Sequence, residues 1–192
     1  MIMIWTAPDA PSFRDTLGHF ASGVVVVTGP GAARPAGFTC QSFFSVSIDP
    51  PLVAISPSVN SGSWRSIAQA GRFAVSVLSH AQRELCLTFG RGGQRDRFAT
   101  IAWHRAPSGA PLIHGALAWL DCRIEAVHPA GDHYLVLGRV DHLRAADGEP
   151  LLFYRGTFGA FTPDRHAAAV GRPDWTADEV WGQGMWLEGH DW

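Results

Sequence analysis

The stretch Ala118 to Val127 constrains this chain most, because Ala118, Leu120, Cys122, Ile124 and Ala126 alternate there with Trp119, Asp121, Arg123, Glu125 and Val127. A period of two is the signature of a strand with one face buried. Pro129-Ala130-Gly131-Asp132 reads as a turn, and His133 to Leu143 returns as a partner strand. Two strands joined so tightly can pair only antiparallel, since a parallel pair needs a crossover of a dozen or more residues. Other segments fit around this hairpin. Gly23 opens the β-branched run Val24 to Thr28, and Gly29 to Pro35 turns the chain. Phe43 to Ile48 and Leu52 to Ser56 read as strands interrupted by Asp49-Pro50-Pro51, because proline cannot donate to a ladder. Arg72 to Leu78 reads as a half-buried strand, and Leu151 to Phe153 and Thr157 to Phe161 close the core. Short helices are expected at Ser12 to Phe20, with Ser12 as N-cap, at Ser61 to Ala70, and at His80 to Phe89. About seven strands and three short helices, with several tight links, predict a mainly β fold: an antiparallel sheet curled into a barrel.

A chain of 192 residues fits one domain, here residues 1–162, followed by a Trp- and Gly-rich tail over 163–192. Charged residues are only 17% of the chain, against roughly 25% in an average soluble domain. So little charge leaves apolar surface to cover, and 8 Trp and 11 Phe supply interface anchors, so an oligomer is expected. Trp175, Trp181, Trp186 and Trp192 suggest a tail that drapes over a partner subunit or is loosely ordered. A net charge of −2 without a basic cluster excludes nucleic acid and anionic membranes as partners. Cys40, Cys86 and Cys122 form no disulfide framework. With no apolar run of about 20 residues and no signal-like start, the expected location is the cytoplasm.

Two glycine-rich stretches are decoys. Gly29-Pro30-Gly31-Ala32-Ala33-Arg34 begins like a dinucleotide fingerprint, but Arg34 and Pro35 replace the final glycine and the helix that would hold a pyrophosphate. It is read as a hairpin turn. Gly90 to Arg95 lacks the Lys-Ser/Thr of a phosphate-binding loop. Neither paired-histidine metal spacing nor a Gly-x-Ser-x-Gly elbow occurs, so metal and nucleophilic hydrolytic chemistry are not expected. The informative segment is Gly37-Phe38-Thr39-Cys40-Gln41-Ser42-Phe43-Phe44-Ser45-Val46-Ser47, which sets hydroxyl and amide side chains in a strand-forming context. By pattern alone it fits a polar edge strand as well as a surface that bonds a polar heterocycle. His133, at a strand start after a turn, is by itself more often structural or exposed than functional.

Four ordered motifs resemble the flavin reductase family, whose members supply reduced flavin to two-component monooxygenases. Phe13-Arg14 to Phe20-Ala21-Ser22-Gly23 is similar to its opening helix and turn, and Gly37 to Ser47 to its flavin-contacting segment. Ala130-Gly131-Asp132-His133 resembles its Gly-Asp-His turn, and Pro150 to Gly156 its closing motif. The resemblance implies a Greek-key split barrel that binds flavin in a groove at a homodimer interface. It implies FAD, or FMN, with NADH, or NADPH, as hydride donor, the hydride passing from nicotinamide C4 to flavin N5. A separate monooxygenase would then receive the reduced flavin. Pro35, Ala36, Gly37, Phe38, Thr39, Gln41 and Ser42 would line the isoalloxazine, although many relatives carry Asn in place of Gln41. Ser56, Pro57, Ser58, Gly62 and Ser63 would meet phosphate oxygens, helped by a helix N-terminus whose Ser61 also acts as an ordinary cap. Thr88 and Phe89 would touch the ribityl or adenine portion, and Arg97, with Arg95, a phosphate. His133 would face the nicotinamide as the catalytic histidine, with Phe153, Tyr154, Arg155 and Gly156 completing that cleft. The alternatives are a non-catalytic flavin or haem carrier on the same barrel, or a split-barrel oxidase using another cofactor.

Overall fold

The structure is a computed structural model that describes residues 5, 7–31, 34–91 and 96–162. Arg95 and the tail over 163–192 lie outside the described residues. In chain order the strands are β1 (Ser22–Gly23), β2 (Val25–Gly29), β3 (Ala36–Cys40), β4 (Phe43–Ser47), β5 (Leu52–Ile55) and β6 (Arg72–Val77). They continue as β7 (Trp103–Arg105), β8 (Pro111–Ile113), β9 (Ala118–Ala130), β10 (His133–Ala145), β11 (Leu151–Tyr154) and β12 (Thr157–Ala160). The helices are α1 (Ala10–Leu17), α2 (Gly62–Ala70) and α3 (Arg83–Gly90).

Seven strands form one antiparallel sheet in the order β3-β2-β6-β9-β10-β5-β4. Its two edges, β3 and β4, are joined only by Gln41 and Ser42. Three Cα steps of 3.8 Å reach at most about 11 Å. A flat sheet of this strand number would be roughly 29 Å wide at the usual spacing of about 4.8 Å. The sheet therefore has to curl until its edges meet, and the two-residue link marks the seam. The β2–β3 hairpin, with Gly29 opposite Ala36, makes the first glycine-rich stretch a hairpin connection as expected.

The strand run Val24 to Thr28 is apolar on both faces because both are covered. Val25, Val27, Phe73, Val75, Ile55 and Val136 pack together on one side, plugged by Trp64 and Ile67 of α2. Val24, Val26, Leu78 and Leu151 pack on the other with Phe89 of α3, Phe98 and Ile113. This double cover corrects the half-buried reading of Arg72 to Leu78: Phe73, Ala74, Val75 and Ser76 are all fully buried. Thr28 and Ser76 tolerate burial because their hydroxyls pin β8, Thr28 donating to the Pro111 carbonyl and Ser76 accepting the Ile113 N–H at 3.1 Å. Asp121 likewise breaks the alternation of β9. It is 4% exposed, and the loop before β8 caps it through the Ser108 N–H at 3.0 Å and the Ser108 hydroxyl.

Three boundaries differ from expectation. The first helix starts earlier than Ser12, because Asp9 is its N-cap and accepts the Ser12 N–H at 2.8 Å while the Ser12 hydroxyl returns to Asp9. The segment His80 to Phe89 splits into a 3-10 turn, His80–Gln82, and α3. The long hairpin turns on Gly131 and Asp132 alone, with Pro129 still paired to Tyr134. Gly131 takes φ 65°, and Asp132 does not take positive φ, the pattern of a type II′ turn. No helix among the described residues is long and apolar enough to cross a membrane.

Candidate active site

The barrel seam organises the expected site residues into three neighbouring groups. The first surrounds the start of α2. A helix leaves its first N–H groups without intrahelical acceptors. The Ser61 hydroxyl takes the Trp64 N–H at 3.1 Å, and the Arg65 N–H bonds the Ser61 carbonyl, which leaves the N–H groups of Gly62 and Ser63. They open on a cavity of about 380 Å³ lined also by Pro35, Ala36, Gly37 and Arg97. Six of the expected residues thus meet in one place. A Cβ on Gly62 would meet nothing within 4 Å, so this helix start is open to a ligand. Arg34 joins the lining and adds a positive charge that sequence reasoning had placed only in the turn.

Around this cavity the wall is already satisfied. A Cβ on Gly37 would lie 2.9 Å from the Phe89 ring and 3.1 Å from the Val27 carbonyl oxygen, so the glycine is required by packing beneath it. Arg97 donates to the Gly37 carbonyl at 2.9 Å and to the Arg91 carbonyl, and lies over the Phe89 ring. Phe89 itself is 2% exposed and belongs to the core. The Thr39 hydroxyl donates to the Cys86 carbonyl at 2.8 Å, the exposed Thr88 bonds back to Glu84, and Phe38 packs on the inner core. These four side chains support β3 or α3, and none of them lines a cavity described here.

A second group lies at the other end of β3. Gln41, Phe153, Arg155 and Gly156 line a cleft of about 580 Å³ with Phe13, Arg14, Asp15, Leu17, Gly18, Phe20 and Ser22. Arg155 holds φ 46° and Gly156 φ 80°, the type I′ hairpin geometry that normally selects Asn or Gly. The Arg155 N–H bonds the Gly18 carbonyl at 3.1 Å and its guanidinium reaches Asp15 at 3.4 Å, tying this turn to α1. Tyr154 stands outside the lining, edge-on to His19.

The third group bridges the seam. The Ser42 hydroxyl donates to the Ser56 carbonyl at 3.3 Å. Pro57 accepts the Tyr134 N–H, Ser58 pairs with His133, and the Val59 N–H bonds the Asp132 carbonyl. His133 Nδ1 lies 2.7 Å from the Asp132 carboxylate. That carboxyl is held below its usual range first by the bond to His133, then by the imidazole's charge, with Arg14 of α1 adding to the effect. The buried Cys40 thiol, beside Ser42 at 3.4 Å, is pushed up by desolvation and is inert as a nucleophile.

This donor set fits a nucleotide cofactor. An open helix N-terminus with Arg34 suits a phosphate, and amide, hydroxyl and main-chain groups along the seam suit a polar ring. The architecture is a split β-barrel whose seam carries a binding groove. The chain belongs to the flavin reductase like domain family, which matches residues 17–162, and it is an oxidoreductase that reduces flavin with NAD(P)H. It is 43% identical over 169 residues, covering 88% of this chain and 86% of the relative, to the reductase subunit HsaB of a flavin-dependent monooxygenase from Rhodococcus jostii. It is 45% identical to the FMN reductase (NADH) SmoA of Agrobacterium fabrum, over 79% of this chain and 86% of that one. The structure of the NADH:FAD oxidoreductase SgcE6 of Streptomyces globisporus, in complex with NAD and FAD fragments, superposes with a TM-score of 0.77 at 38% identity, covering 82% of this chain and 95% of that one.

Proposed function

We propose that this flavin reductase works in the cytoplasm as a homodimer and releases reduced flavin to a separate monooxygenase, with residues on the two sides of the seam dividing the labour. Gln41 and Ser42 carry this reading: Gln41 lines the arginine-rich cleft, while Ser42 is tied to the Ser56–Ser58 segment and so to His133. When bound, the flavin supplies the electron-accepting ring and the reduced nicotinamide the hydride. The backbone of Pro35 to Thr39 with Gln41 and Ser42 cradles the ring, and Gly62 and Ser63 hold a phosphate at the start of α2. Phe153 and Arg155 orient the nicotinamide from the cleft, and His133 does so from the Asp132 turn at the seam, outside the cleft's lining. These groups act by holding two flat rings in register, and no nucleophile or proton relay is needed. Exposed Phe13, Leu17 and Phe20 around the cleft, 55, 56 and 80% accessible, favour cover by a second subunit.

Steady-state assays crossing FAD and FMN with NADH and NADPH test the reading. Oxidation of reduced nicotinamide is expected only when flavin is supplied, and the reduced flavin is expected to pass through a membrane that retains the protein. Flavin binding without nicotinamide oxidation would overturn it.

A further inference from the structure

We propose that Asp132 is a positioning residue that holds the His133 imidazole in its Nδ1–H form and so presents Nε2 to the nicotinamide; this rests on the assignment of His133 to the nicotinamide side. Asp132 Oδ1 lies 2.7 Å from His133 Nδ1. An ionised carboxylate can only accept, so Nδ1 carries the hydrogen whether the ring is neutral or protonated, and Nε2 is the ring nitrogen that Asp132 leaves open. The carboxyl is kept ionised by that same bond, with the imidazole and Arg14 as the further charges acting on it.

The arrangement is built by the backbone. Neighbouring residues of a regular strand point to opposite faces, so adjacent side chains do not ordinarily meet. Here Asp132 belongs to the turn and His133 opens β10, which lets the two side chains converge. Both residues are sewn to one loop: the Val59 N–H to the Asp132 carbonyl at 3.0 Å, the Tyr134 N–H to Pro57 at 2.9 Å, and Ser58 paired with His133. Meanwhile the side chains are 91% and 43% exposed, so the contact contributes little to folding. A contact that the fold does not need is well placed to serve orientation.

Long-range nitrogen NMR of the imidazoles, with His133 identified by its loss in His133→Ala, reads the form directly. The wild type is expected to show His133 protonated at Nδ1, and Asp132→Ala to move it towards the Nε2–H form. In turnover, Asp132→Ala is expected to raise KM for the nicotinamide roughly two- to tenfold, the range one hydrogen bond controls, with kcat and the flavin KM unchanged. Asp132→Asn keeps an accepting oxygen and is expected to restore most of that loss, which separates the hydrogen bond from the charge. In a His133→Ala background Asp132→Ala is expected to add nothing. An unchanged His133 form in Asp132→Ala, or additive losses in the double variant, would overturn the proposal. Normal nicotinamide kinetics in His133→Ala would instead overturn the assignment of His133, and the NMR form would still report whether Asp132 orients the ring.

Discussion

The two cavities flanking β3 are built in opposite ways. At the start of α2 the wall around the open N–H groups is packed or bonded: Gly37 rests on Phe89, Arg97 is clamped between two carbonyls, and Trp64 and Ile67 anchor the helix in the barrel. At α1 the cleft is walled by a helix with no buried residue and by aromatic side chains left in water. The contrast separates a preformed pocket from a surface that is finished by whatever covers it. A preformed pocket holds one ligand at small ordering cost, and the open cleft pays that cost on binding. This contrast supports the proposed division, with the flavin on the more rigid side and the nicotinamide, which has to enter and leave at each turnover, on the looser one.

The largest expected effect tests the rigid wall. Gly37→Ala places a methyl 2.9 Å from the Phe89 ring and 3.1 Å from the Val27 oxygen, neither of which is the loose end of a chain. Overpacking of this kind costs about 1–3 kcal/mol. Thermal unfolding should show a fall of roughly 2–12 °C for a domain of this size. An unchanged melting temperature would mean that the wall yields, and the contrast between the two cavities would fail on its firmer side.

A smaller effect distinguishes the ligands of the two cavities. Gly62→Asp adds a side chain into open space and an acidic group to the first helical turn, which is neutral to favourable for the helix. The same carboxylate would repel a phosphate at that helix start. Flavin affinity is expected to fall about tenfold, a loss of roughly 1.4 kcal/mol, with the melting temperature and the nicotinamide KM unchanged. Weaker nicotinamide binding with normal flavin affinity would exchange the roles of the two cavities.

Much of this contrast was legible in the chain. The apolar runs of β2, β5 and β6 and the long hairpin announced themselves because β-branched and alternating residues have few other uses. Burial on two faces was not legible, since β6 alternates Phe73 and Val75 with residues as small as Ala74 and Ser76, and only the packing of β8 and the loop before it covers them. The β7–β8 hairpin escaped notice because Trp103-His104-Arg105 and Pro111-Leu112-Ile113 are three residues each, too short for a period. Of the residues lining the α2 cavity, Gly62 and Ser63 were expected from the family resemblance, while the cap chemistry of Ser61 announced only a helix start. Arg14 and Arg34 were not expected as site residues, because their place depends on α1 meeting the β11–β12 turn and on the β2–β3 connection folding toward α2.

The open cleft has its own strained point. Arg155 occupies a left-handed position that disfavours a side chain by about 1–2 kcal/mol, so Arg155→Gly relieves strain but also frees the unfolded chain. The expected balance is a gain of at most about 1 kcal/mol in denaturant unfolding. Losing the guanidinium from the cleft should raise the nicotinamide KM severalfold and leave flavin affinity alone. A more stable variant with unaltered KM would show that the arginine serves only its tie to Asp15.

The two helices extend the comparison to pH. α2 is capped by Ser61, which does not titrate in this range, whereas α1 is capped by Asp9. The Asp9 carboxyl is held below its ordinary value by hydrogen bonds from the Ser12 hydroxyl and N–H. A carboxyl depressed in the folded state gives its full support above its unfolded pKa, about 3.9, and loses it as pH falls through the lower folded value. At neutral pH the cap is intact, and only acid removes it. Backbone NMR of an acid titration should therefore show α1 losing helical shifts below about pH 4 while α2 keeps them, and Asp9→Asn, which preserves an accepting cap, should remove much of that pH dependence. The effect is small because α1 buries nothing and its cap is exposed to water. Simultaneous loss of both helices would mean that α1 is held by packing after all, and the loose side of the seam would be as rigid as the other.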